Sequence, residues 1–514
     1  MKLKKFLWIL VVFSVVIIGT GVIAGWQDTT IKTDNFIEDT LLGNNIIEKS
    51  ETTDNQLIEA QETTEPEVES SGQTLSQVLI SMEHSGGIKF KNVLRGILGL
   101  VVILFICYLF SIDRKAINWK VVARGLLFQI ILALGVLYVP FVQTFFEVVG
   151  KLFVYILQAA ETGAIFLLGG LINNDSLGYI FAFKILPTVV FFSALSSLFF
   201  YWGIIQIIVR GLAWVMTRAM RLSGAESLSL AGNIFLGQTE SPLLIKPYLE
   251  KLNQSELFVV MVGGMATMAG GVLAAYIGFL GGTDPVAQMI FAKHLLAASV
   301  MAAPGAVVAA KIIVPQTESI NKDATISTEK IGANPLDAFS NGTTDGMKLA
   351  VNIAAMLLTY IAAIALVNIV FGKIGSWTNL NDWIALHTSY SQFSLQFVLG
   401  YALSPLMWLL GVPGSDIAYL GQLLGEKTIL NEFVGYGSLA AMIKNGMLQP
   451  KSIIMATYLL CGFANFSSVG IQIGGIGALA PNQKVNLSKF GMRALLAGAM
   501  SALISATLIG MLLG

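Results

Sequence analysis

Long apolar runs alternate with short polar stretches along most of the chain. The runs fall at about residues 93–112, 121–139, 187–202, 203–216, 256–280, 286–314, 347–371, 393–410, 453–476 and 492–513. A run of about 20 residues crosses the ~30 Å hydrocarbon layer as an α-helix. The pattern therefore predicts an all-α polytopic membrane protein. No series of short alternating segments suggests a β-barrel. Residues 141–171 are apolar but interrupted by Glu147, Lys151 and Glu161. That spacing predicts an amphipathic, interfacial helix rather than a clean span.

Two stretches break the apolar pattern. GQTESPLLIKPY, residues 237–248, is polar at its start and carries Gly237, Glu240 and Pro242. NEFVGYGSLA begins at Asn431 and carries Glu432. Ionisable groups at membrane depth are expensive and usually face a cavity or pathway. The first stretch is too polar for an ordinary span and predicts a re-entrant hairpin, two short arms with a polar tip. Each stretch precedes a span rich in glycine or hydroxyls: Glu240 precedes Thr267, and Glu432 precedes Asn465 and Ser468. Broken acidic segments in both halves of a hydrophobic chain point to inverted repeats around a transporter binding site.

The N-terminal region differs. Lys2, Lys4 and Lys5 precede an apolar core at 6–18, and small residues at 22–24 resemble a cleavage site. Residues 1–24 thus read as a signal peptide or an N-terminal anchor. Residues 25–88 are acidic, hydroxyl-rich and poor in apolar residues, so a disordered linker is expected, with a short helix at 75–82. The hydrophobic core of the protein is expected at 89–514. The loop with Arg114, Lys115 and Lys120 is placed in the cytoplasm by the positive-inside rule, which leaves the linker extracytoplasmic.

Composition adds exclusions. The chain is 55% hydrophobic and 12% charged, with a mean hydropathy of +0.74. A soluble domain carries about twice that charge. The formal net charge is zero, so nothing points to nucleic acid. The cysteines, Cys107 and Cys461, both lie in apolar runs, and the three histidines are far apart, which argues against a disulfide or transition-metal site. No H-E-x-x-H or G-x-S-x-G occurs, which weighs against a membrane enzyme. A channel remains a third class, one whose flux never exceeds the solute's gradient.

The polar residues suggest their own chemistry. Gln238, Thr239 and Glu240 offer an amide, a hydroxyl and a carboxylate for the edge of a polar ring. Asn431, Glu432, Asn465, Ser467 and Ser468 suit a polyhydroxyl group, because a carboxylate accepts from adjacent hydroxyls. Phe463 is available to pack on a flat ring, whereas Phe466 is expected to serve the core. Asn233 and Thr267, with the carbonyls of Val262 and Ala266, offer the oxygens that a sodium ion takes.

Three segments, GQTESPLLIKPY, NEFVGYGSLA and CGFANFSSVGIQIGG (residues 461–475), resemble the signatures of concentrative nucleoside transporters (NupC-like nucleoside symporters). The family usually shows G-Q-T-E-A-P, N-E-F-V-A-Y and G-F-A-N-F-S-S; Ser241 and Gly435 each stand where it has Ala. The resemblance covers roughly residues 90–514. It implies a homotrimer of the cell (inner) membrane with about eight core spans, two re-entrant hairpins and two unwound transmembrane helices. It implies scaffold and transport subdomains, and uptake of nucleosides with a cation by an elevator-type movement. By the resemblance, Gln238, Thr239 and Glu240 meet the nucleobase, while Glu432, Asn465 and Ser468 hold the ribose beside Phe463. Sodium falls to Asn233, Thr267 and the carbonyls of Val262, Gly263 and Ala266, with no organic cofactor. Family members use sodium or protons; Asn233 and Thr267 favour sodium here.

Overall fold

The computed structural model describes residues 75–77, 79, 89–172, 180–321 and 332–513. The expected signal or anchor and most of the linker lie outside these residues. Within the linker, Leu75–Gln77 and Leu79 are helical, and Leu79 is buried. Every regular element among the described residues is a helix. Leaving one-turn helices unnumbered, the first five are α1 (Phe90–Leu109), α2 (Trp119–Tyr138), α3 (Pro140–Leu168), α4 (Leu186–Tyr201) and α5 (Ile204–Met220). Then come α6 (Gly224–Asn233), α7 (Gln254–Ala266), α8 (Gly270–Gly281), α9 (Pro285–Ile313), α10 (Pro335–Trp377) and α11 (Leu380–His387). The last six are α12 (Leu395–Leu410), α13 (Ile417–Ile429), α14 (Glu432–Lys444), α15 (Pro450–Leu459), α16 (Phe466–Leu479) and α17 (Lys484–Leu512).

Local chemistry sets many of the boundaries. Pro140 cannot continue α2 but suits the first turn of α3, where its missing N–H is no loss. Ser223 and Glu226 form a reciprocal capping box that starts α6, and Asn253 and Glu256 form another at α7. Asn334 accepts from the Asp337 N–H, with Pro335 in the first turn, and so begins α10.

Among the described residues, eight stretches are long and apolar enough to cross a membrane, judged by length and composition. One of them is α3, the segment whose charges predict an interfacial helix. Glu147 and Lys151 are four residues apart and share one face, which leaves a continuous apolar surface on this 29-residue helix. Helix α10 begins at Pro335, well before the expected start near 347, and runs for 43 residues. Its early polar residues are compatible with helix once Asn334 caps the end.

Burial separates the helices into two groups. In α9, 94% of the most apolar window is buried, against 11% in α10. The inner group is α7, α8, α9 and α17. Helix α9 packs against α2, α3, α7, α8 and α17, and α17 also contacts α1, α15 and α16. Helix α10 packs mainly along α4, and α12 along α13.

Two of the long apolar runs are broken helices. The run at 256–280 splits into α7 and α8, with Thr267 in extended backbone. The run at 453–476 splits into α15 and α16 across residues 460–465, where Gly462 takes φ +87°. The two breaks meet. A Cβ on Gly462 would overlap the Ala266 carbonyl, so glycine is required there for both its φ and its size.

Candidate functional site

The site forms where these breaks meet two non-helical tips. One tip follows α6, at residues 234–240, before the chain returns in a 3-10 turn, Ser241–Ile245. The return arm is sewn to α6: the Ser241 hydroxyl donates to the Ser229 carbonyl at 2.6 Å. Ser241 thus adds a bond that Ala, usual at this position in the resembling family, could not make. The other tip is the turn between α13 and α14. There the Asn431 side chain accepts from the Val434 N–H at 3.0 Å and caps α14. Asn431 is therefore committed to the helix start. A Cβ on Gly435 would lie 2.8 Å from a Leu460 methyl, so the extra glycine allows α14 to sit close to the second break.

Glu432 is the centre of a buried network. Its Oε1 accepts from the Tyr276 hydroxyl at 3.2 Å, and its Oε2 accepts from Asn465 Nδ2 at 2.8 Å. The Asn465 oxygen in turn caps α16, accepting from the Ser468 N–H at 2.9 Å and the Ser467 hydroxyl at 2.7 Å. The Ser468 hydroxyl accepts from Gln238 Nε2 at 3.2 Å, which links the first tip to the second break. Gln472 Nε2 donates to the Gln238 oxygen at 3.2 Å and to the Met261 carbonyl at 2.9 Å. Thr239 packs against Gly475, where a Cβ would crowd its methyl at 2.6 Å. So Gln238, Glu432, Asn465 and Ser468 form one connected cluster, and Thr239 lies against α16 beside it.

Glu240 behaves differently. It is exposed, and its carboxylate accepts only from its own turn, at the Gly237 N–H, 3.2 Å away. Phe463 is half-buried against the core. Phe466, expected in the core, is 49% exposed. It is the first residue of α16, where a side chain is not yet covered by a neighbouring turn.

The residues expected to take a cation also gather. Asn233 closes α6 and is buried, and neither its Nδ2 nor its Oδ1 has a hydrogen-bond partner. It lies against Gly263: a Cβ there would sit 3.2 Å from Nδ2. The Thr267 hydroxyl donates to the Gly263 carbonyl at 2.8 Å, and the Thr267 N–H reaches the same oxygen at 3.2 Å. The Gly263 carbonyl thus already accepts twice. The Ala266 carbonyl faces the second break, with Cys461 Sγ at 3.7 Å. Val262 is buried inside α7. Orphaned amide atoms are rare in protein interiors, so Asn233 is the part of this set that fits an absent cation best.

Three residues of the site were not singled out in the sequence. Tyr276 stacks on Tyr436 with centroids 4.1 Å apart, which fixes its hydroxyl on Glu432. Gln472 anchors Gln238. Lys427 on α13 is wholly buried and donates to the carbonyls of Leu459 (3.1 Å) and Cys461 (2.5 Å). Those are orphan carbonyls at the end of α15, which a cation suits. A lysine and a glutamine inside apolar helices were the available signals.

Comparison with known proteins fits this arrangement. The family described as Na+ dependent nucleoside transporter matches through its N-terminus at residues 98–171 and its C-terminus at 294–510, and a nucleoside recognition family matches 182–283. A nucleoside permease, NupC, of Helicobacter pylori is 35% identical over 81% of this chain and 97% of its own length. The chain belongs to the concentrative nucleoside transporter family. It is thus a multi-pass membrane protein of a transporter family and not an enzyme. An uncharacterized transporter of Haemophilus influenzae is 38% identical over 82% of this transporter and 98% of its own length. The fold of this family member is similar to that of CNTnw, a structure solved in an inward-facing, substrate-bound state. That likeness has a TM-score of 0.74 and 35% identity, and covers 82% of this chain and 99% of CNTnw.

Proposed function

We propose that the chain is a sodium-coupled symporter that carries nucleosides into the cell. The observation behind this reading is the connected cluster of Gln238, Glu432, Asn465 and Ser468 beside two helix breaks. Each carboxylate oxygen of Glu432 accepts one bond from the protein. Each has lone-pair capacity left, and a ribose diol supplies two donors at matching spacing. Asn465 and Ser468 complete the ribose half, with Phe463 near the sugar and base. Gln238, Thr239 and Glu240 meet the nucleobase, directly or through water. The Gln238–Ser468 bond is one that substrate can replace.

Sodium is carried as the second substrate. The Asn233 side-chain oxygen and Thr267 are its ligands, joined by carbonyls of the first break from the set Val262, Gly263 and Ala266. The ion would tie the end of α6 to that break, and the Gly270 N–H already binds the Phe235 carbonyl there at 3.0 Å. Occupancy would then bias the tip that meets the base, which couples the two substrates.

The residues from α6 to 249, and α13 with α14, serve as the two re-entrant hairpins of an inverted repeat. Each is followed by its unwound helix. These parts move as a transport domain past a scaffold that includes α4 and α10, in an elevator-type exchange. The protein works as a homotrimer with its N-terminal linker outside the cytoplasm, as a multi-pass protein of the cell membrane.

The test is uptake of radiolabelled uridine by proteoliposomes. An inward sodium gradient should drive accumulation above the external concentration. Choline in place of sodium at fixed pH should abolish it. Equal uptake in choline, driven instead by a pH gradient, would replace sodium with protons. Absence of nucleoside uptake under either gradient would remove the function itself.

A further inference from the structure

Helix α5 carries no part of the proposed transport site, and its surface divides into three strips. Ile205, Val209, Ala213, Met216 and Met220 recur at three and four residues and form the buried strip of a helix that packs mainly along α6. A second strip holds Arg210, Trp214 and Arg218, each four residues from the last and all exposed. A third, next to it, holds Ile204, Ile208 and Val215, which are exposed and wholly apolar. The Arg218 guanidinium lies 5.4 Å from the Trp214 ring centroid, and Trp214 is 62% exposed. None of Arg210, Arg218 and Arg221 pairs with a carboxylate among the described residues.

A membrane crossing does not suit this helix. Its 17 residues measure roughly 26 Å, short of the ~30 Å hydrocarbon layer. Arg210 sits near the middle, so a crossing would bury an exposed, unpaired guanidinium among acyl chains. Lying along the interface, the same helix puts Ile204, Ile208 and Val215 against the upper acyl carbons and both arginines among the headgroups, with the Trp214 ring at the boundary. A Cβ on Gly125 would lie 3.6 Å from Met220 Cε, so the end of α5 sits beside the start of α2. Arg114, Lys115 and Lys120 lie just ahead of Gly125 in the chain, on the side that the positive-inside rule assigns to the cytoplasm.

A zwitterionic headgroup carries its own cation beside the phosphate. An anionic phospholipid does not, so its phosphate is free to take a guanidinium. We propose that the Arg210–Trp214–Arg218 strip of α5 is a binding face for anionic phospholipid headgroups at the membrane surface. Occupation of that face would act close to the first tip. Arg221, with φ +57°, closes α5, and Ser223 caps α6 two residues later. Lipid charge at the surface would thus bear on the segment that carries Asn233 and Gln238. Neither the nucleoside nor the sodium reading is needed for the binding face itself.

The test is quenching of Trp214 fluorescence by brominated lipid, with the full chain in nanodiscs of otherwise zwitterionic lipid. The Trp214 component is the difference between wild type and W214F. Half-maximal quenching should need roughly tenfold less brominated phosphatidylglycerol than brominated phosphatidylcholine, the order expected of two arginines at an anionic surface. In R210Q/R218Q the two lipids should quench equally. Equal quenching in wild type would mean lipid contact without recognition of the anion, and overturns the proposal. No quenching by either lipid would mean that water or a second copy of the chain covers this face, and overturns it too, as does a double variant that keeps the wild-type preference. If that variant is not monodisperse, about 0.5 M potassium chloride added to wild type should bring the ratio near one, because exposed charges are screened. A ratio unmoved by salt is equally fatal.

Discussion

The two acidic tips look equivalent in sequence, yet the fold treats them as opposites. Glu432 is buried and held by Tyr276 on α8 and by Asn465, the residue that caps α16. Glu240 is exposed and, among the described residues, its carboxylate accepts from its own turn alone. The first arrangement is pre-organised, so binding there loses little side-chain entropy. The second is adaptable. On the proposed reading the pre-organised tip would hold the sugar and the adaptable tip would meet the base, an asymmetry that the glutamate spacing alone does not reveal.

The contrast can be broken by substitution. Glu432→Gln should lower initial uridine uptake by about 100-fold or more, since it removes the charge from a buried, charge-assisted network. Transport near wild type would end its ribose role. Gly462→Ala should come next. Left-handed backbone costs a residue with a Cβ roughly 1–2 kcal/mol, and the overlap with Ala266 adds to that. A lowered thermal midpoint in detergent, with uptake lost in proportion, is expected; an unchanged midpoint would contradict the crossing of the two breaks. Tyr276→Phe keeps the ring stack on Tyr436 but removes one donor to Glu432. Uridine KM should rise about fivefold, for roughly 1 kcal/mol, without loss of thermal stability. Glu240→Gln should have the smallest effect, about threefold in uridine KM, with the ratio of adenosine to uridine uptake changed. If Glu240→Gln proved as damaging as Glu432→Gln, the asymmetry would be wrong.

Much of this site was visible in the chain because it is polar where its surroundings are not. Gln238, Glu432, Asn465 and Ser468 stand out against apolar helices for that reason. Tyr276 does not, since a tyrosine in a span reads as ordinary core and its role lies in a hydroxyl 156 positions from its partner. The first break lies in a glycine-rich span, but its contact with the second break depends on Gly462, and long-range contact leaves no local pattern. The length of α10 was hidden by polar residues whose helical conformation depends on the Asn334 cap.

The length of α10 also has a consequence for the membrane. Between Lys348 and Lys373 it has 24 uncharged residues, 349–372. At 1.5 Å per residue these measure roughly 36 Å, against ~30 Å of hydrocarbon. The excess is taken up by tilt, by bending or by local thickening of the bilayer. A thinner bilayer enlarges that excess, and hydrophobic mismatch then acts directly on the helix that packs along α4. Acyl-chain length would thus be felt at the contact between α10 and α4.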